Sequence, residues 1–339
     1  MSENCDAVPA EIWLRQPDAV AALTPSEGFC CTAFRVRLAG EWRSILVEPP
    51  SWSALQARPA FYGNPLLCPY PYDVADGTFV YRGERYMLRP GRTGRTAHGF
   101  VRDHRWTVER TWDDADGAHV RASITNQGSN ELLAEFPFPF CLTVTYTLRG
   151  MHLKLAAQVV NLGGGCLPFG FGIHPYFPIS HGPQGQIADI RLLSNVDTIA
   201  RLGPHNASVT FARPPGALDL RVGLQVADLL YQRSQEPLAG LREIYTDLAE
   251  PSVDPLAGVR CTLTDPGRRM SISIATSVGF RTLYLFTPRD ATVVSPVIST
   301  CLPNAFNLAS SGWPSGLIEL AAGATWTGST TIGVSGLVV

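Results

Sequence analysis

Hydrophobic and polar residues alternate with period two over long stretches of the chain. Leu142, Val144, Tyr146 and Leu148 fall on one face of an extended segment, and Thr143, Thr145 and Thr147 on the other. Arg149-Gly150 interrupts the run, and Met151, Leu153, Leu155, Ala157 and Val159 resume it. Alternation on both sides of a short break predicts a β-hairpin with one buried face. Val120, Ala122 and Ile124 alternate with Arg121, Ser123 and Thr125, and Met270, Ile272 and Ile274 repeat the pattern.

Turn signals separate these runs: Asp76-Gly77, Arg82-Gly83, Asp116-Gly117, Gln127-Gly128 and Pro266-Gly267. Helical periodicity is weak, and short helices are predicted only at residues 50–55 and near 226–230. Regularly punctuated strands over most of the chain predict an all-β fold, a large antiparallel β-sandwich. No linker, repeat or charge block divides it, so residues 21–339 read as a single domain. Residues 1–20 read as a loosely ordered leader.

Composition narrows the function classes. The chain has 339 residues, 45% of them hydrophobic, enough for a sizeable core. Only 17% are charged and the net charge is −2, so neither nucleic acid nor an acidic membrane is an expected partner. No apolar run reaches membrane-spanning length. The eight cysteines are scattered without a Cys-x-x-Cys. The opening Met-Ser-Glu-Asn-Cys-Asp lacks the basic and apolar regions of a signal peptide. A cytoplasmic protein with reduced thiols, monomeric or homodimeric, is the expectation.

The chain has no His-Glu-x-x-His, Gly-x-Ser-x-Gly, P-loop or dinucleotide-binding glycine motif. Gly163–Gly165 follows a strand but opens no helix and reads as a turn. No metal-ligand spacing stands out, so neither metal nor cofactor is expected. Three segments could carry chemistry. In Gly170–Pro178, the proline after His174 holds that residue extended, and Tyr176 and Phe177 follow. One aromatic can face a pocket and the other the core. An imidazole beside an aromatic platform suits a sugar; a core histidine bonded to a carbonyl fits the spacing equally well. In the second segment, His98 precedes a glycine and lies near Arg102, Asp103 and Trp106. In the third, Pro69-Tyr70-Pro71-Tyr72-Asp73 is a rigid extended run ending in the Asp76-Gly77 turn.

Taken in order, these segments resemble the aldose 1-epimerase (galactose mutarotase) family. The matching residues are Pro69-Tyr70-Pro71 with Asp76-Gly77, His98-Gly99-Phe100-Val101-Arg102-Asp103 with Trp106, and His174-Pro175-Tyr176-Phe177. Leu302-Pro303-Asn304-Ala305-Phe306-Asn307 and Gly316-Leu317-Ile318-Glu319-Leu320 continue the match toward the C-terminus. The resemblance implies a galactose mutarotase-like supersandwich and a sugar substrate handled without metal or cofactor. In that family a carboxylate takes the proton of the anomeric hydroxyl and a histidine protonates the ring oxygen. The ring opens, the C1–C2 bond rotates and the ring closes on its other face. Carried over, His174 is the proton donor and His98 a sugar-binding partner, with Tyr70, Tyr72, Arg102 and Tyr176 as substrate-binding candidates.

The chain departs from this pattern at three positions. The family's catalytic glutamate aligns with Ser295, in Val294-Ser295-Pro296, and a serine hydroxyl is no general base at neutral pH. An Asn-Arg pair is replaced by Tyr72-Asp73. A sugar-binding aspartate aligns with Arg242, while Glu243 next to it would face the other side of a strand. A relocated base is therefore sought first at Asp73 and then at Glu243. Three functions stay open: an anomer-interconverting isomerase, a repurposed acid–base enzyme of biosynthesis, and a non-catalytic sugar-binding protein. In one variant of the first, Arg92, Arg95 and Arg102 hold a sugar phosphate.

Overall fold

The predicted hairpin forms from Phe140–Arg149 and His152–Asn161, in a register that pairs Leu142 with Val159, Val144 with Ala157 and Tyr146 with Leu155. Burial alternates along it as the sequence pattern requires. The structure is a computed structural model that describes residues 11–91, 94–180, 189–228, 242–248, 258–288, 290 and 292–337. Among the described residues the hairpin belongs to a nine-stranded antiparallel sheet. Gly117–Thr125 flanks it on one side and Thr325–Gly336 on the other, and Met270–Thr276 pairs with the latter.

An eight-stranded sheet carries the strands that matter for function. Val293–Ser299 pairs with Thr282–Phe286 on one edge and Gly172–Ile173 on the other, and Arg242–Thr246 follows Thr282–Phe286. Ile173, Leu283, Leu285 and Ile298 from this sheet join Val144, Tyr146 and Leu155 from the larger one in a single apolar cluster. Each large side chain buried there contributes about 1.5–3 kcal/mol of transfer free energy. The fold is thus mostly β, with several antiparallel sheets.

The leader reading needs correction. Ile12–Gln16 pairs with Ala19–Thr24, and Leu14, Ala19 and Ala21 are buried in the core. Residues 12–20 are therefore structural, because their apolar side chains alternate inward; residues 1–10 lie outside the described residues. The first predicted helix is found at Trp52–Ala57, capped by Ser51, whose hydroxyl accepts from the Ala54 N–H at 3.1 Å. Near 226 a helical turn begins at Val226, and its continuation past residue 228 lies outside the described residues. Asn130–Glu135 and Ala305–Ser310 were not expected, being too short to show a helical period. Among the described residues no helix is long and apolar enough to cross a membrane.

Candidate active site

Backbone pairing brings the sequence motifs together. Asp73 and Ala97 form an isolated antiparallel bridge, the Val74 N–H donates to Thr96 O at 3.0 Å, and the His98 N–H donates to Tyr72 O at 3.3 Å. Asn304 clamps the same segment: its N–H donates to Asp73 O and its Oδ1 accepts from the Ala75 N–H, both at 3.0 Å. The His174 N–H donates to Pro65 O at 3.1 Å, which holds the extended conformation that Pro175 favours.

His98 owes its position to the residue after it. Both His98 and Gly99 have positive φ, 67° and 71°. A Cβ on Gly99 would lie 1.8 Å from Cys68 O, so no side chain fits there. A left-handed histidine is uncommon, and such conformations cluster where the surroundings impose them. Here the imposed turn delivers the imidazole to a cavity.

That cavity has a volume of about 550 Å³, in the range of small-molecule sites. Tyr72, Asp73, His98, Arg102, His174, Tyr176 and Arg242 all line it. Three of the sequence candidates do not. Tyr70 is packed in the core against Phe136. Glu243 is fully buried and ion-paired with Arg201, while its neighbours Arg242 and Ile244 face the cavity, as strand alternation requires. Ser295 is also fully buried and sits behind His174.

The contact behind His174 fixes its chemistry. Ser295 Oγ lies 2.7 Å from His174 Nδ1 and 2.7 Å from Pro175 O. The carbonyl can only accept, so the serine hydrogen goes to Pro175 and Nδ1–H donates to the serine oxygen. Nε2 then carries the lone pair, and the Tyr176 hydroxyl donates to it at 3.0 Å. The Tyr176 ring also stacks on the imidazole, centroids 4.4 Å apart. Burial first, with His98 and the Arg102 guanidinium nearby, holds His174 well below its ordinary value of 6.5. It is a neutral imidazole at neutral pH, with its lone pair on Nε2.

His98 follows the same logic. Its Nδ1 lies 2.6 Å from Pro71 O and donates to it, which leaves Nε2 as the acceptor. Burial and the neighbouring Arg102 push its pKa down to about 4. The two imidazoles meet edge to face, 5.6 Å between centroids. Arg102 is buried, donates to Ala97 O at 3.2 Å and pairs with Asp103 at 3.6 Å. Asp73, the one carboxylate on the cavity wall among the described residues, pairs with Arg95 at 3.0 Å.

One strand supports the arrangement. Along Val293–Ser299, Ser295 fixes His174, Val297 lines the cavity, and Ser299 Oγ lies 3.0 Å from the Tyr72 hydroxyl. These alternate positions point to the same side of the sheet.

Comparison with known proteins gives this pocket its context. The family model described as aldose 1-epimerase matches residues 12–333. The chain belongs to the aldose 1-epimerase family. Among solved structures it is similar to a galactose mutarotase-like protein from Clostridium acetobutylicum, with a TM-score of 0.79 and 19% identity over 96% of this chain and 95% of that one. It is also similar to galactose 1-epimerase from Lactobacillus acidophilus, with a TM-score of 0.73 and 16% identity over 97% of this chain and 95% of that one. Among curated proteins, the uncharacterized protein YihR of Escherichia coli is 22% identical over 258 residues, 71% of each chain. The galactose mutarotase-like fold is thereby shown, in a distant member of the aldose 1-epimerase family.

Sequence reading missed several cavity-lining residues of this aldose 1-epimerase relative, notably Arg58, Phe61, Tyr284 and Phe286. The signal for two of them was present. Along Thr282–Phe286, Leu283 and Leu285 enter the core, so Tyr284 and Phe286 must face away from it. Aromatics on the outer face of a buried strand mark a covered or lined surface. Arg58 and Phe61 follow a short helix, and their sequence neighbourhood carries no such pattern.

Proposed function

We propose that the chain interconverts the anomers of a monosaccharide, with His174 as the single group that moves the proton. In this reading the anomeric hydroxyl replaces the Tyr176 hydroxyl as donor to His174 Nε2. Nε2 takes the O1 proton, the C1=O1 bond forms as C1–O5 breaks, and the imidazolium returns that proton to O5. Rotation about C1–C2 and the reverse steps give the other anomer. Proton and electrons balance without a second carboxylate, because O1 and O5 are bonded to the same carbon. A positioned base of this kind accounts for a rate gain of roughly 10²–10⁴. The observation that carries this reading is the Ser295–His174 contact, which leaves Nε2 as a lone pair. Asp73 and His98 hold sugar hydroxyls in it.

The test is exchange of α and β anomers, followed by NMR for a panel of aldoses with and without protein. Accelerated exchange that requires His174 supports the proposal. A second reading, sugar binding without turnover, is favoured by Ser295 standing where the family's base aligns. Saturable binding with unchanged anomer exchange would establish it in place of the first.

A further inference from the structure

The sugar site is lined by more positive charge than it can use internally. Four arginines reach the cavity, Arg58, Arg95, Arg102 and Arg242, against the carboxylate of Asp73. Arg95 is matched by Asp73 at 3.0 Å and Arg102 by Asp103 at 3.6 Å. Arg58 and Arg242 have no carboxylate within ion-pair distance among the described residues. The phosphate locus expected from sequence thus falls on committed groups, and Arg92 lies outside the described residues.

Aromatic rings hold the two unmatched arginines instead. The Arg58 guanidinium lies 4.6 Å from the Phe61 centroid, and Arg242 lies 5.9 Å from that of Phe286. Phe61 in turn stacks on Tyr176, and Phe286 meets both His174 and Tyr176 edge-on. Each guanidinium is therefore one ring away from the His174–Tyr176 pair. A cation over a ring uses its face, and the in-plane N–H fork stays available. That fork matches a carboxylate or a phosphate bidentately, and a neutral hydroxyl uses it poorly.

We propose that the substrate is an anionic monosaccharide whose carboxylate or phosphate is bound by Arg58 and Arg242. The assignment rests on the sugar-site reading above and adds the substrate class. Its test compares matched pairs, galactose with galacturonate and glucose with glucose 6-phosphate. Binding is measured by calorimetry and anomer exchange by NMR, at low and at high salt. The anionic member should be preferred by roughly 10–100-fold at low salt, and the preference should shrink as salt rises. In the double variant Arg58→Gln/Arg242→Gln the preference should fall below about 3-fold. Both side chains are exposed, and a thermal melt confirms that the variant is folded. Which pair shows the preference identifies the anion as carboxylate or phosphate.

Equal handling of neutral and anionic sugars by the wild type would overturn this proposal and leave the sugar reading standing. A preference that survives in the folded double variant would overturn the assignment to these arginines. Failure of every sugar, neutral or anionic, to bind would overturn both readings.

Discussion

Ser295 Oγ sits 2.7 Å from His174 Nδ1 and passes its own hydrogen to the Pro175 carbonyl. A carboxylate at this point would stabilise an imidazolium; a hydroxyl that accepts from Nδ1 and donates elsewhere stabilises a neutral ring. The serine therefore sets which nitrogen of His174 is basic, from the position that aligns with the family's base.

Replacing Ser295 with alanine should release that control. Nδ1–H and the Pro175 carbonyl lose their partner in a fully buried setting, at a cost of about 1–3 kcal/mol. Nitrogen NMR of the imidazole should show a mixture of tautomers, and anomer exchange should slow roughly tenfold or more. A single Nδ1–H tautomer in Ser295→Ala would show that the serine does not fix it.

His174→Asn separates chemistry from packing. An asparagine amide can still donate to Ser295, but nothing replaces Nε2. Anomer exchange should fall by roughly 10²–10⁴-fold with a stability change of about 1 kcal/mol. A collapse of the thermal transition with little change in specific activity would mark His174 as a structural core residue.

Asp73→Asn decides between the two possible bases. If His174 takes the proton, this change should lower the rate constant by less than about tenfold, well short of the His174→Asn effect. A loss as large as that of His174→Asn would transfer the role to Asp73.

The pH profile follows from two depressed histidines. Burial lowers both His98, to about 4, and His174 in the folded state relative to 6.5 when unfolded. Between those limits the unfolded chain binds more protons than the folded one. Stability from these groups is therefore complete above about pH 6.5 and is lost as pH falls toward 4. Activity should hold below pH 6.5 because Nε2 stays unprotonated there. Melts and exchange rates between pH 4 and 8 check both, and an acid limb centred near 6.5 would contradict the neutral His174 described here.

Gly99→Ala tests how His98 is held. A methyl group 1.8 Å from Cys68 O, at a φ of 71°, cannot be accommodated without moving the backbone. The melting temperature should drop by several degrees, equivalent to about 1–3 kcal/mol, and sugar affinity should fall with it. Unchanged melting and affinity would show that the turn can relax.

The strands were legible because each buries one face: the alternation from Leu142 to Val159 and from Met270 to Ile274 appears in the structure residue for residue. The pocket was legible as far as it rests on short contiguous motifs, which placed Tyr72, Asp73, His98, Arg102, His174 and Tyr176 on one cavity. What failed depended on which way a side chain turns. Tyr70 lies between two cavity-bound segments yet enters the core, and Glu243 differs from Arg242 by one strand position and faces away. Arg58 lies over Phe61, three residues further on, and Arg242 over Phe286 of the neighbouring strand; no contiguous motif marks either pair.

Ser295, Val297 and Ser299 are successive same-side positions of a strand paired on both edges. Its backbone is pinned by neighbours, so a substitution at any of the three changes the pocket's chemistry while the architecture stays put. Evolution or an engineer can in this way alter the partner of His174 at 295 and, through the shared Tyr72, cavity shape at 297 and hydrogen bonding at 299, without redesigning a loop.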